Sequence, residues 1–177
     1  VEVSVALSKP PESIKQEAYI VYDTQKIPII QHILAEKEYK SVLIFCSKKQ
    51  TVKQLAAQLQ RMKYNAKDIQ SDLDQSQRMK TLDSFRDGSL QLLIASDVAA
   101  RGLDIPSVSH VFNFDMPSHP EDYVHRIGRT GRAGRLGKAY SICVPSDAKY
   151  LAAIEALVKQ EIPRGEVPEG ALEGLSD

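Results

Sequence analysis

The 177-residue sequence holds only two cysteines, Cys46 and Cys143, each inside an apolar run. Two thiols so far apart form no Cys-x-x-Cys metal or redox site, and they read as buried free thiols. No apolar run approaches the roughly 20 residues that cross a bilayer. The first residues lack the basic, apolar and small-residue series of a signal peptide, so the expected setting is cytoplasmic, with no membrane partner. Net charge is missing as well, since 23 Lys and Arg balance 23 Asp and Glu. Any affinity for nucleic acid must then come from local placement and not from a global positive bias. There is no Gly-x4-Gly-Lys-Ser/Thr phosphate loop, no Gly-x-Ser-x-Gly elbow, no His-Glu-x-x-His helix and no metal-spaced His pair. The sequence therefore shows nothing that cradles a triphosphate, activates a serine or binds a metal. His32, His110 and His119 read as surface or packing residues.

What is present describes an ordinary globular domain, with 42% hydrophobic and 26% charged residues, long enough for one core. The opening at Val1 reads as a fragment cut from a longer protein. Residues 1–14 form a Pro-containing lead-in, 15–163 the domain, and 164–177 a flexible acidic tail rich in Gly and Pro. Strands are expected at 16–22, 41–46, 66–69, 90–95, 108–115 and 138–144. The apolar runs at 41–46 and 90–95 are continuous, as in a parallel sheet covered on both faces. Helical spacing appears at 27–38, 51–62, 75–86 and 147–160. A further helix runs to Ile127 from a capping box of Ser118 and Glu121. Alternating strands and helices define an α/β, three-layer fold with a mostly parallel central sheet. Ligands in such folds gather at the carboxyl ends of the strands, where the unusual sequences lie.

The most unusual stretch has no acid between His125 and Ser146, yet contains Arg126, Arg129, Arg132, Arg135 and Lys138. Glycine stands at every third place from Gly128 to Gly137, each costing a helix about 1 kcal/mol, so the helix should end there. The remainder is a loop that lets a ligand approach its backbone while guanidinium groups offer bidentate bonds to phosphate. A second stretch, 96–105, places Ser96, Asp97, Arg101, Gly102 and Asp104 directly after a buried strand. A structural ion pair of Arg101 with Asp97 or Asp104 is the plainer alternative for it.

The spelling HRIGRTGR at 125–132 resembles motif VI of superfamily-2 helicases in its DEAD-box form, and SDVAARGLDI at 96–105 resembles motif V, with Ser96 where Thr is usual. LIFCSK at 43–48 resembles motif IV, and Gln75-Ser76-Gln77-Arg78 the QxxR motif. The resemblance covers 15–162, with one departure: Gln70-Ser71 stands where the family commonly has His-Gly before Asp72. It is to the C-terminal RecA-like domain of DEAD-box ATP-dependent RNA helicases, and a bacterial RhlE-like member fits.

That resemblance implies the half of an enzyme that carries arginine fingers but neither phosphate loop nor DEAD tetrad, inactive alone. ATP with Mg²⁺ would be bound mainly by the N-terminal RecA-like domain of the same protein. Arg129 and Arg132 would be the fingers, with Gly102 and Asp104 completing the nucleotide contact. His125 and Arg126 would couple the domains, or Arg126 would brace the motif. Ser47, Arg78, Ser96 and Arg101 would hold RNA, and the protein would act as a monomer. A DNA translocase or DEAH-type helicase would begin motif VI with Gln, which His125 opposes. A non-catalytic RNA-binding or adaptor domain with a helicase fold is the alternative from another class.

Overall fold

A computed structural model describes residues 12–36, 39–132 and 135–167. Its frame is a six-stranded sheet, parallel throughout, in the order β1-β6-β5-β2-β4-β3. The strands are β1 (Ile14–Ile20), β2 (Val42–Cys46), β3 (Ala66–Ile69), β4 (Leu92–Ser96), β5 (His110–Asn113) and β6 (Gly137–Cys143). Between and after them lie helices α1 (Lys26–Glu36), α2 (Lys49–Arg61), α3 (Gln75–Arg86), α4 (Asp97–Ala100), α5 (Pro120–Ile127) and α6 (Ala148–Val158).

The continuous apolar strands are buried because both faces of the sheet are covered. On β2, Val42, Ile44 and Cys46 join Ile29, Ile30, Leu55 and Leu59 from α1 and α2. Leu43 and Phe45 point the other way and meet Leu82 and Phe85 of α3 together with Val111. A third cluster packs Tyr123 and Ile127 of α5 and Leu151 and Ile154 of α6 onto Ile14, Ala18 and Ala139. β3 and α3 begin and end where the sequence pattern puts them. Asp74 caps α3 by accepting the Gln77 amide at 2.8 Å, and Gln77 returns a bond to the Asp74 amide.

Two local expectations change, and one short helix is added. The Ser118–Glu121 capping box does not form: His119 is the N-cap without a side-chain bond, and Pro120 opens α5. Proline supplies the φ of the first helical residue, so the helix opens one residue later than the box requires, and the Asp122 amide is met by His119 O at 3.0 Å. The small-residue segment after β4 coils into the single turn α4, with the Ser96 hydroxyl accepting the Ala99 amide at 3.2 Å. Beyond α6 the chain lies along β1, with the Ala18 amide bonded to Pro163 O and the Gly165 amide to Ala18 O, both at 2.8 Å. This pairing reaches two residues past the boundary read from the sequence and shields part of a sheet edge. The rest of the expected lead-in and tail, 1–11 and 168–177, lies outside the described residues. Among the described residues no helix is long and apolar enough to cross a membrane.

Both cysteines are buried and free. Burial, reinforced by Asp115, pushes the Cys46 thiol far above its usual range. Burial, reinforced by Asp147, pushes Cys143 up to about 12. Alkylation requires the thiolate, so iodoacetamide at pH 8 should leave both unmodified in the native protein and label both in denaturant. Mass spectrometry reads the result, and native labelling at the rate of a free thiol would contradict the packing.

Candidate functional site

Strand β2 has β4 on one side and β5 on the other. The sheet order therefore switches direction there, and a crevice opens above the carboxyl ends of these strands. Ser47 follows β2, Asp97 follows β4 and Asp115 lies two residues beyond β5. Arg126, in the last turn of α5, reaches into their midst with its side chain 1% exposed. Its Nε and Nη2 donate to the two carboxylate oxygens of Asp97, each at 2.7 Å. Nη1 donates to Asp115 O at 2.7 Å, and Nη2 to the Ser47 hydroxyl at 3.2 Å. Ser47 in turn donates its hydroxyl and amide to the Asp115 carboxylate at 2.8 to 3.0 Å. The guanidinium also lies over the Phe45 ring, 5.5 Å from its centroid. Burial works against this charge, but the bonds and field of Asp97, with Asp115, outweigh it and raise the Arg126 pKa. The four segments are thus fastened together by one cation.

Arg126 also fixes where the glycine-rich stretch begins. After α5 the loop is pinned to the segment leading into β5. The Val108 amide donates to Arg129 O at 2.9 Å, and the buried Thr130 hydroxyl donates to Val108 O. Arg129 and Arg132 then stand beyond the sheet. Among the described residues they are held by backbone carbonyls, not carboxylates: Arg129 Nη2 reaches Ala100 O at 3.4 Å, and Arg132 Nε reaches Gly128 O at 3.0 Å. Partial burial and then repulsion from Arg132 lower the Arg129 pKa, against an attraction from Asp104. An arginine so perturbed is still protonated at neutral pH. The pair is therefore a concentration of positive charge that an anion would relieve.

Asp104 lies beside this pair with its carboxylate 95% exposed, while its backbone oxygen is held by Arg86 Nη2 at 2.9 Å. Gly102 has φ +78°, and a Cβ built there would meet nothing within 4 Å, so its backbone is bare toward the outside. Asp104 and Arg132 thus both lie within electrostatic reach of Arg129, whose guanidinium bonds Ala100 O two residues before Gly102. His125 is exposed on α5. Arg101 pairs with Asp122 at 3.1 Å and not with Asp97 or Asp104. Arg126 braces the site from within, because a side chain so deeply buried cannot present itself to a second domain.

The residues read as an RNA surface form a second group. Ser47 is exposed at the end of β2. Ser96 is only 6% exposed, and its hydroxyl is occupied by the Ala99 amide, so its part is to cap α4. Arg78 bonds Ser71 O through Nη2 at 3.3 Å, and its Nε is buried without a partner. Beside it, Asp72 receives Lys49 and Lys53, one on each carboxylate oxygen at 3.0 Å. The Gln70-Ser71 departure is accommodated without strain. Gln70 is buried, accepting the Asp72 amide at 2.7 Å and donating to Asp68 at 3.1 Å, and Ser71 is not among the residues with positive φ. Sequence reasoning missed Asp115 and Asn113, whose Oδ1 accepts Arg126 Nη1 at 3.4 Å. Their signal was a polar pair at the end of an apolar strand, where an α/β site forms.

The class follows first: the sequence matches the family described as the helicase conserved C-terminal domain over residues 25–134. The crystal structure of the Escherichia coli DEAD-box protein SrmB, bound to a regulator of ribonuclease activity, superposes with a TM-score of 0.83. It is 35% identical and covers 89% of this chain and 93% of that one. The DEAD-box ATP-dependent RNA helicase CshA of Bacillus subtilis is 42% identical over 162 residues, 90% of this chain and 33% of that protein. Saccharomyces cerevisiae Dbp5 bound to RNA and ADP BeF3 has a TM-score of 0.81 at 32% identity, covering 88% and 42%. This chain belongs to the helicase C-terminal domain family, and within it to the RecA-like C-terminal domains of DEAD-box proteins. It spans about a third of the length of the curated relatives it matches.

Removing Arg126 would take the buried cation away from Asp97 and Asp115, whose side chains are 17% and 26% exposed. Arg126→Ala is expected to lower stability by about 3–5 kcal/mol, the usual result of breaking a buried pair from one side. Urea unfolding measures it, and a loss below about 1 kcal/mol would show that Asp97 and Asp115 are solvated without the arginine.

Proposed function

We propose that this chain is the C-terminal half of a monomeric, RNA-dependent ATPase that opens short RNA duplexes. ATP would lie between it and an N-terminal RecA-like domain of the same protein, and RNA would run across both. The observation that carries the reading is the pair Arg129 and Arg132, set on a pinned loop and held by carbonyls beside the exposed Asp104 and the bare backbone of Gly102. Two guanidinium groups without carboxylate partners among the described residues suit phosphate oxygens. Asp104, an acceptor in the open, suits a ribose hydroxyl. Among the described residues no group of three or more His, Cys, Asp or Glu gathers to hold a metal. The reading therefore gives Mg²⁺ and the phosphate loop to the N-terminal domain, where the ion would neutralise charge on the β- and γ-phosphates. The chain alone hydrolyses nothing.

On domain closure Arg129 and Arg132 stabilise negative charge that develops on the transferred phosphoryl group, an effect of about 10³-fold or more where such arginines act. His125, exposed on α5, meets the other domain. Arg126 keeps the finger loop in register with the ends of β2, β4 and β5. Across the crevice Ser47, Arg78 and Arg101 hold RNA phosphates and sugars, and Ser96 supports them through the turn it caps. Such contacts position a strand without reading its sequence.

Arg132→Ala in the two-domain protein is expected to abolish RNA-stimulated hydrolysis while ATP affinity stays within a few-fold. Steady-state turnover and nucleotide titration measure the two quantities, and turnover near the parental rate would remove Arg132 from the fingers. Arg78→Ala should weaken RNA binding and lower the slope of log Kd against log salt by about one contact. Anisotropy titration at several salt concentrations checks this, with nucleotide affinity in the absence of RNA as the control. Equal loss of both affinities would mean misfolding instead.

A further inference from the structure

The loop that carries Arg132 is closed by a residue that the motifs do not include. Ser13, just before β1, holds both ends of the stretch from Gly131 to Gly137. Its hydroxyl donates to Gly131 O at 3.0 Å, and its carbonyl accepts the Gly137 amide at 2.9 Å. The fit around these bonds leaves no slack. Gly131 has φ +70°, and a Cβ there would come within 2.6 Å of Ile14 Cγ1 and 3.2 Å of the Ser13 hydroxyl. A Cβ on Gly137 would collide with the Gly131 backbone and lie 2.6 Å from the Thr130 hydroxyl. Both glycines are therefore required by close approach: the two ends of the loop touch each other, and Ser13 and Ile14 lie against them.

Other features carry less. The cavity of about 390 Å³ lined by Lys26, Ser47, Lys48, Asp115 and Tyr150 mixes both signs of charge. The Lys49–Asp72–Lys53 group is an exposed ion pair of a kind that contributes little.

We propose that Ser13 is a positioning residue for the arginine loop. It fixes the foot of the loop at Gly131, the residue before Arg132, and so sets the direction in which that guanidinium leaves the surface. Ile14 begins β1 and pairs with Gly137, the first residue of β6. The loop is thereby anchored to the sheet by the segment through which the chain enters the domain. A pull on that segment acts on the foot of the finger loop before it acts on any other part of the proposed nucleotide surface.

The inference rests on Arg132 acting as a finger, and its test separates the two. In the two-domain protein, Ser13→Ala removes the hydroxyl and leaves the carbonyl bond. Loss of one such bond is expected to lower kcat for RNA-stimulated hydrolysis on the order of five-fold. KM for ATP and the Kd for single-stranded RNA should stay within two-fold, and Ser13→Thr, which keeps a hydroxyl, should recover most of the rate. Combined with Arg132→Lys, Ser13→Ala should add little, because a positioning residue acts only through the residue it positions. An unchanged kcat for Ser13→Ala, an equal fall for Ser13→Ala and Ser13→Thr, or full additivity with Arg132→Lys would each overturn the proposal. If Arg132→Ala keeps its turnover, the finger reading fails first; if Arg132→Ala is dead and Ser13→Ala is normal, only the positioning role fails.

Discussion

A guanidinium that is 1% exposed holds the site together. Taking a charge of that size out of water costs several kcal/mol even after relaxation, and the cost is offset only where geometry and hydrogen bonding are both complete. At Arg126 they are: Asp97 accepts in bidentate fashion, Asp115 contributes its carbonyl and its field, and Ser47 adds a hydroxyl. The dependence runs both ways. Without the cation, two carboxylates would face each other at the ends of β4 and β5; without the carboxylates, the arginine could not stay inside. This mutual requirement sets the relative positions of four sequence segments that are distant along the chain. It also fixes the last turn of α5, from which the glycine-rich loop departs.

The arginines of the acid-free stretch sort by the partners they find. Arg126 is neutralised by Asp97 and Asp115, from the segments after β4 and β5; Arg101, outside that stretch, is paired with Asp122 on α5. Arg129 and Arg132, three residues apart, receive carbonyl oxygens and repel one another. A chain of zero net charge can thus carry a local pair of arginines that, among the described residues, form no ion pair with a carboxylate. The distinction depends on folding. Composition shows the balance, but only the pairing shows which charges are left.

The fold was legible because its parallel strands are short and apolar and its helices keep a regular period. β3 and α3 coincide with their sequence patterns, and the remaining elements lie within a few residues of theirs. The start of α5 was misread because Ser118 and Glu121 have the spacing of a capping box, while Pro120 takes the first helical position and moves the N-cap to His119. At the site, Arg129, Arg132, Gly102 and Asp104 could be named from their motifs, and Arg132 and Asp104 lie close enough to Arg129 to act on its charge. The roles of Arg126 and Ser96 could not be separated in advance. A string of residues gives chemistry but not direction, and both side chains turn inward. Asp115 and Ser13 belong to no motif, and their importance arises from contacts across 68 and 118 residues of chain respectively.

These long-range contacts give the two ligand surfaces a common support. Ser47, on the side assigned to RNA, is tied through Asp115 to Arg126, and Arg126 lies three residues before Arg129, on the side assigned to ATP. A shift of Ser47 cannot be absorbed locally, since its hydroxyl and amide share one carboxylate and that carboxylate faces the buried cation. Packed, hydrogen-bonded networks of this kind move between discrete arrangements more readily than they deform. A strand pressing on Ser47 would therefore act on α5 as a unit, and through it on the loop that bears Arg129 and Arg132. The RNA dependence proposed for hydrolysis would use a connection of this sort, assigned in this half to Arg126.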